Sequence, residues 1–311
     1  MNQEERLKIG KQQLKNYLAS QYPKWRHVQV LTISKILKNM PNFYSNIIED
    51  IKQPYDATGE ITLNKEIKNG LIFSALAETM QYIEDLFSLM LLSKNIEYFV
   101  KNVIRYNATK VYQYIKKFNV NDLKNICSEY HIPYFDINKD WQNAQELFLM
   151  YKRAILNLQE NLAKFVDFYL KYEKFYSQYK HGLSVALNPY GSKTPSSIEA
   201  NEGYLMIYDN TKISKITAKS KKLICIPHLT PAVAKSILQL NQEENLLRAE
   251  FNILSIDDLI IISKNIGEML EILHLNLFEI CNNTEKTDFK EYYLPYKQDN
   301  KYIKMGFPVD N

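Results

Sequence analysis

Two interleaved seven-residue repeats in the middle of the sequence restrict the fold more than any other feature. Ile155, Leu162, Tyr169 and Tyr176 form one register, and Leu158, Phe165, Tyr172 and Tyr179 form the other. Side chains at this spacing lie on one face of an α-helix and make a continuous apolar and aromatic stripe. The pattern therefore predicts a long helix from about Trp141 to Lys180, whose stripe packs against other helices.

Two more stretches have the periodicity of long helices. Between Leu71 and Leu92, one stripe would carry Ile72, Leu76, Thr79, Ile83, Leu86, Phe87 and Met90. Ser255 suits the N-cap of a helix that reaches about Cys281. Because each apolar stripe needs burial, we expect the three long helices to pack side by side. Shorter helices are predicted at about 3–20, 27–38, 96–116, 120–130 and 230–247, with a loop-rich connection at 41–62.

The region between the second and third long helices has a different composition. Residues 204–208 and 223–226 have the length and residue types of two strands, which predicts a small hairpin at about 203–227 as the only notable β structure. The chain has only 8 glycines and 10 prolines, which argues against a sandwich or barrel. We therefore expect a mostly α fold, a helical bundle with a small inserted β hairpin. Residues 1–64 would be an N-terminal helical segment and connection, and residues 65–311 the bundle with its insertion.

The net charge and the cysteine content bear on the class of protein and on its cellular compartment. The 39 basic and 35 acidic residues give a net charge of +4, which is too even to identify a nucleic-acid-binding protein. Cys127, Cys225 and Cys281 are scattered and odd in number, so they favour a reducing cytoplasm over a disulfide framework. The polar N-terminus does not resemble an export signal. Acidic residues interrupt the apolar stretch from Leu71 to Leu92, so we expect no transmembrane span.

Several kinds of catalytic site lack their sequence motif. There is no phosphate-binding G-x-x-x-x-G-K-[ST] run, no dinucleotide-binding G-x-G-x-x-G and no G-x-S-x-G nucleophile elbow. Glu271 and His274 have the spacing of a di-iron ligand pair, but the second copy that such a site requires does not occur. Cys225 and His228 supply only half of a zinc site. We therefore expect neither a metal nor a cofactor.

His181 stands out because of its position at the end of the longest predicted helix. Counting about 100° per residue places it off the aromatic stripe, on a polar face with Lys174, Ser177 and Gln178. Gly182 suits the position just past the helix end, where the helix dipole favours a protonated imidazole. A histidine held there could act as an acid or a cation near neutral pH.

The segment Phe175-Tyr176-Ser177-Gln178-Tyr179-Lys180-His181-Gly182 resembles the histidine-bearing helix end of the HEPN superfamily of helical bundles. It is most similar to bacterial members associated with phage defence and toxin systems. The resemblance extends over residues 71–92 and about 146–189, with 255–281 as the closing helix. It implies a homodimeric, metal-independent endoribonuclease. The family signature is an arginine, four to six intervening residues and then a histidine, and here Lys174, with six residues between it and His181, stands in the place of the arginine.

The resemblance implies roles for individual residues. His181 would transfer a proton or orient the phosphate, and Lys174 and Lys180 would stabilise negative charge. Ser177 and Gln178 would contact RNA. Independently of the resemblance, the lysine run between the predicted strands, represented by Lys212, Lys215 and Lys219, could contact phosphates, although lysines in an exposed hairpin loop more often form a solvated surface.

The expected partners are RNA or a nucleotide, a second copy of the chain, and an antitoxin or defence-system protein. Two alternatives remain open. One is a catalytically inactive HEPN-like scaffold that binds a nucleotide, RNA or a protein, and the other is a helical interaction protein whose His181 belongs only to a helix cap.

Overall fold

The fold was analysed in a computed structural model of the chain. It describes residues 2–39, 60–138, 145–181, 185–186, 202–209, 248–282, 289–298 and 301–308. Side chains are described at 2–39, 67–138, 145–177, 254–282, 290–297 and 301–306. The predicted helix at 230–247, the predicted strand at 223–226 and most of the 41–62 connection lie outside these residues.

The described chain is mostly helical, which confirms the predicted fold class. Its helices are α1 (Gln3–Ala19), α2 (Trp25–Lys38), α3 (Glu60–Ser93), α4 (Phe99–Ile104), α5 (Ala108–Lys117), α6 (Leu123–Glu129), α7 (Gln145–His181) and α8 (Ile256–Asn282). A short 3-10 turn, Ile96–Tyr98, precedes α4. The three long helices predicted from periodicity are α3, α7 and α8.

The apolar stripes of these helices are buried. All seven residues named on the α3 stripe, from Ile72 to Met90, are at most 1% exposed. On α7, Ile155, Leu158, Leu162, Phe165, Tyr169, Tyr172 and Tyr176 are at most 3% exposed. The α7 repeat therefore marks a buried face over the whole length for which side chains are described.

Asparagine and serine side chains fix several helix ends. Asn2 and Glu5 form a reciprocal capping box at the start of α1, with the Glu5 N–H donating to the Asn2 side chain at 2.8 Å. At the start of α8, the backbone N–H of Asp257 donates to Ser255 Oγ at 3.2 Å, as predicted for this N-cap.

The single helix predicted over 96–116 is wrong. The chain leaves α4 at Ile104 and starts α5 at Ala108, with Arg105, Tyr106 and Asn107 between them. The Asn107 side chain accepts a hydrogen bond from the Thr109 N–H at 2.9 Å and so caps a new helix. Asparagine competes with the helical backbone for such bonds, which favours a helix start over a helix interior.

The β structure is more extensive than predicted. Strand β2 (Glu202–Asp209) contains the first predicted strand, and it pairs antiparallel with β1 (Val185–Ala186) and with β3 (Arg248–Ser255). A separate antiparallel pair joins β4 (Phe289–Gln298) to β5 (Lys301–Pro308). The prediction that 203–227 would hold the only notable β structure is therefore wrong, because the C-terminal segment forms its own hairpin.

Contacts divide the chain into two compact units whose residues alternate along the sequence. The first comprises Met1–Val28, Thr79–Lys171 and Ile262–Asn311, and the second comprises Gln29–Glu78 and Tyr172–Ile261. The division falls inside α2, α3, α7 and α8, so each of these helices supplies residues to both units. The domain boundary placed at about residue 64 from sequence stays a prediction.

In the first unit, the α1–α2 turn and the C-terminal strand β5 contact the same residue of α8. Lys24 contacts Glu271 of α8 at 2.9 Å, and the Tyr302 hydroxyl of β5 donates to the same carboxylate at 2.7 Å. Tyr169 of α7 donates to Glu84 of α3 at 2.7 Å. None of the helices in the described parts of the chain is long and apolar enough to span a membrane.

Candidate functional site

The predicted histidine site lies at the C-terminal end of α7. The helix continues without a break to His181 and ends there, as the position of Gly182 led us to expect. Phe175 and Tyr176 are 0% and 3% exposed, whereas Lys174 and Ser177 are half-buried. The last described side chains of α7 therefore separate into the buried and the polar face that the sequence predicts.

The remaining predicted site residues stay predictions. The backbone of Gln178, Lys180 and His181 is described, but their side chains are not. Lys212, Lys215 and Lys219 lie outside the described residues. Of the eight residues named for the site, Lys174 and Ser177 are the two whose side chains can be placed.

A cavity of about 610 Å³ lies within the first compact unit, and its lining contains none of the site residues predicted from the sequence. It is formed by the end of α1, the α1–α2 turn, the start of α2, and parts of α3 and α8, with two residues from α4 and the loop after it. Its lining is Tyr17, Ser20, Gln21, Tyr22, Pro23, Trp25, Arg26, Tyr82, Asp85, Ser88, Leu89, Leu92, Val103, Tyr106, Leu270 and His274.

The cavity has an unusually aromatic rim. Tyr22, Trp25 and Tyr106 are 62%, 55% and 48% exposed, although large aromatic side chains are normally well covered. Tyr82, by contrast, is buried against the turn, where its hydroxyl donates to the carbonyl of Pro23. The hydrogen bond from Tyr82 thus holds the α1–α2 turn, while the rings of Tyr22, Trp25 and Tyr106 remain accessible to solvent.

The charged side chains of the cavity neutralise one another. The Arg26 Nε donates to Asp85 at 2.5 Å, and one of its terminal nitrogens donates to Gln81 at 2.6 Å. Burial raises the pKa values of Tyr17, Tyr82 and Tyr106, and the Asp85 charge adds a smaller rise to each, which at Tyr106 is opposed by a hydrogen bond with Ser88. All three tyrosines are therefore neutral hydroxyls at physiological pH.

His274 forms part of the cavity floor. Its side chain is 6% exposed, and burial lowers its pKa to about 4, against a smaller opposing effect of Glu271. Within the part of the chain that the structure describes, His274 has no side-chain hydrogen-bond partner. A neutral imidazole offers one donor and one acceptor, so this residue brings unused hydrogen-bonding capacity to the cavity.

The Glu271-His274 pair is a structural feature of α8. The Glu271 carboxylate already binds Lys24 and Tyr302. No group of three His, Cys, Asp or Glu side chains that could share a metal ion occurs among the described residues. The two interactions of Glu271 connect α8 to the α1–α2 turn and to β5.

A search of protein-family models, curated proteins and solved structures finds nothing that matches this chain. The interpretation of both sites accordingly depends on the residues themselves. The cavity had one sequence signal, the aromatic break Tyr22-Pro23-Lys24-Trp25 between two helices. Its other walls come from residues 60 to 250 positions further along the chain, which no local pattern connects.

Proposed function

We propose that the protein is a HEPN-like protein that acts on RNA through the His181 end of α7, as a metal-independent endoribonuclease. The observation that carries the proposal is the form of α7, a helix of 37 residues that ends at His181. Its aromatic stripe is buried, and Lys174 and Ser177 occupy the more accessible face. A basic group and a histidine about two turns apart on such a face suit binding of a phosphate group.

In the proposed reaction, the 2'-hydroxyl of a ribose attacks the adjacent phosphorus and the bond to the next 5'-oxygen breaks. His181 moves a proton at the attacking or the leaving oxygen, because an imidazole titrates close to neutral pH. Lys174 and Lys180 stabilise the additional negative charge on the phosphate. Ser177, Gln178 and the lysines at 212, 215 and 219 bind the flanking RNA.

The proposal includes a homodimer. A histidine on a polar helix end, away from the buried stripe, can meet its symmetry mate across a two-fold axis and so complete one site. Such an interface is expected to bury about 1,200 Å² or more in total. The setting is a bacterial phage-defence or toxin-antitoxin system in the cytoplasm, in which an antitoxin or another defence protein controls the activity.

The test compares RNA cleavage by the wild-type protein and His181→Ala. We expect His181→Ala to abolish cleavage while its melting temperature remains close to that of the wild type. Lys174→Ala should reduce cleavage less, since an ammonium group supplies charge without a fixed geometry. Lys164→Ala is the matched control, because Lys164 is an exposed lysine of α7 that pairs with Glu160 at 2.7 Å. Its cleavage rate should equal that of the wild type.

Two further measurements delimit the mechanism. Cleavage should persist in EDTA, and light scattering at micromolar concentration should give the mass of a dimer. A monomer, or activity lost on chelation, would refute the proposed site.

The second candidate is a catalytically inactive scaffold, and the observation that favours it is Lys174 in the place of the family arginine. A lysine lacks the planar fork that binds phosphate through two parallel bonds. If the dimeric protein binds RNA or a nucleotide without cleaving it, and His181→Ala weakens that binding, the scaffold is the correct description.

A further inference from the structure

We propose that the aromatic cavity of the first compact unit binds a nucleobase, presented either by a free nucleoside or by an unpaired base of single-stranded RNA. Among the described residues, those that line the cavity all lie outside α7. The proposal therefore does not depend on cleavage activity. It follows from the size of the cavity, the accessibility of its aromatic rings, its charge balance and its hydrogen-bonding groups.

Size and rim suit a flat ring system. A volume of about 610 Å³ falls within the range of about 300–1,000 Å³ that is usual for small-molecule pockets. Tyr22, Trp25 and Tyr106 expose about half or more of their surface at its rim. Every nucleobase has a planar face that stacks on such side chains, and each stacked base contributes substantially to binding.

The charge balance argues for a neutral ligand group. A cation would be held by the aromatic rings together with a free carboxylate, but Asp85 is paired with Arg26 at 2.5 Å. A phosphate would need the guanidinium group, which is already bound to Asp85 and Gln81. The neutral, heteroaromatic part of a nucleotide therefore matches the cavity better than its phosphate does.

The polar groups of the cavity match the edge of a base. His274 is neutral, buried and without a side-chain partner among the described residues, so it can give one hydrogen bond and accept another. Gln21, which also lines the cavity, adds a side-chain amide whose oxygen can accept and whose nitrogen donates to Ser20 at 3.5 Å and has a second N–H. A ligand that stacks on Trp25 and directs its edge to His274 would give this imidazole a hydrogen-bond partner that it lacks among the described residues.

Tryptophan fluorescence gives a direct test, because the chain has only two tryptophans. In a Trp141→Phe background, Trp25 is the sole tryptophan, and a base stacked on it should quench its emission. Adenosine, guanosine, cytidine and uridine are titrated into this protein to millimolar concentration, alongside a short single-stranded RNA and choline. We expect saturable quenching by at least one nucleoside or by the RNA, and none by choline.

Variants then locate the binding. Trp25→Ala, measured by calorimetry, and Tyr106→Ala, measured by fluorescence, should each weaken binding about tenfold or more. Tyr134→Ala is the matched control, since Tyr134 is a 38% exposed tyrosine of the same unit outside the cavity, and it should not change the Kd. His181→Ala should also leave nucleoside binding unchanged, which separates this proposal from that of the α7 site.

The two sources of the base give different results. RNA that binds at least tenfold more tightly than its nucleosides, with both affinities lowered by Trp25→Ala, identifies an RNA-binding site. Equal affinity for a nucleoside and the RNA identifies a free nucleoside as the ligand. The proposal is overturned if neither quenches Trp25, if choline competes for the cavity, or if Trp25→Ala and Tyr106→Ala bind as well as Tyr134→Ala does.

Discussion

Gly10 is the residue at which α1 comes closest to the chain segment before α4. A Cβ atom at this position would overlap the carbonyl oxygen of Ile96 and would lie 2.8 Å from the Cα of Glu97. Both are backbone atoms, which cannot rotate away as the end of a side chain can. The close approach of α1 therefore requires glycine, although glycine is a poor residue for a helix interior.

Two effects oppose each other in Gly10→Ala. The higher helix propensity of alanine would stabilise the protein by about 1 kcal/mol, whereas overpacking against fixed backbone costs about 1–3 kcal/mol. Because the overlap is severe, we expect the steric effect to prevail and the free energy of unfolding in urea to fall by about 1–2 kcal/mol.

The comparison variant is Gly267→Ala in α8. There the added Cβ would meet the hydroxyl of Tyr82 at 2.5 Å, which is a side-chain atom that can shift at the cost of its bond to Pro23, whereas the atoms facing Gly10 belong to the backbone. Its loss of stability should be smaller than that of Gly10→Ala. Equal or greater stability of Gly10→Ala relative to the wild type would show that α1 does not approach this segment so closely.

At the level of secondary-structure elements, Asn276 connects α8 to two other segments. Its side-chain nitrogen donates to the carbonyls of Tyr130 and Tyr293, each at 3.1 Å, and its oxygen accepts from the Tyr293 N–H at 2.7 Å. The side chain is 0% exposed. One buried amide thus satisfies the backbone of both the end of α6 and strand β4.

Asn276→Ala should destabilise the protein strongly, because it removes the partner of two carbonyls and one N–H, of which the Tyr130 carbonyl is buried and the two Tyr293 groups are half-buried. Each unsatisfied group costs about 1–3 kcal/mol, so we expect a total loss of about 3 kcal/mol or more. Asn157→Ala is the control. Asn157 is exposed, and its side chain donates to the carbonyl of Pro295 on the same strand at 2.9 Å and accepts from Asn161 at 2.9 Å. Asn161 would keep its bond to the backbone carbonyl of residue 157 in the variant. Urea denaturation should show a loss of about 1 kcal/mol or less for this variant. Similar losses for the two variants would contradict the assigned role of Asn276.

The long helices could be predicted from sequence because their evidence is local and repeated. The apolar residues from Ile72 to Met90 recur at helical spacing over several turns, and burial of the face that they form stabilises the helix. The break at Asn107 was missed because the apolar pattern continues across it, although an asparagine followed by a helix-forming run is itself a capping signal.

The strands were harder to predict because their partners are distant or irregular. Glu202 of β2 pairs with Ser255 of β3, a separation that no sequence window covers. In the terminal hairpin, Pro295 lies at a shift in register between Tyr293 and Lys297, which disrupts the alternation that marks a strand. The turn-forming pair Asp299-Asn300 between two aromatic runs was the available signal.

At the scale of the whole molecule, two histidines are held neutral by burial in the first unit. The pKa of His131 and that of His274 are each lowered from 6.5 to about 4 by desolvation. His131 follows α6 with a left-handed backbone (φ 55°) and contacts Ser93 at 3.3 Å. The charged side chains that line a cavity with it are Lys11, Glu279, Lys290 and Glu291. Neither histidine has an ion pair with a carboxylate among the described residues.

Because of these histidines, we expect the stability of the protein to depend on pH, and proton linkage gives the direction of the change. Between pH 4 and 6.5 the unfolded chain binds protons at His131 and His274 that the folded protein does not bind. Stability should therefore be fully present above about pH 6.5 and fall as the pH drops towards 4, by up to about 1.4 kcal/mol per pH unit for each histidine. Urea midpoints between pH 7.5 and about 4.5 at constant ionic strength measure this slope. His274→Gln retains hydrogen-bonding groups but cannot titrate, so it should reduce the slope even if it lowers stability at pH 7.5, and the remainder belongs to His131 and to His27, whose pKa burial also lowers. A wild-type protein equally stable at both ends of this range would show that the two imidazoles are accessible to protons in the folded state.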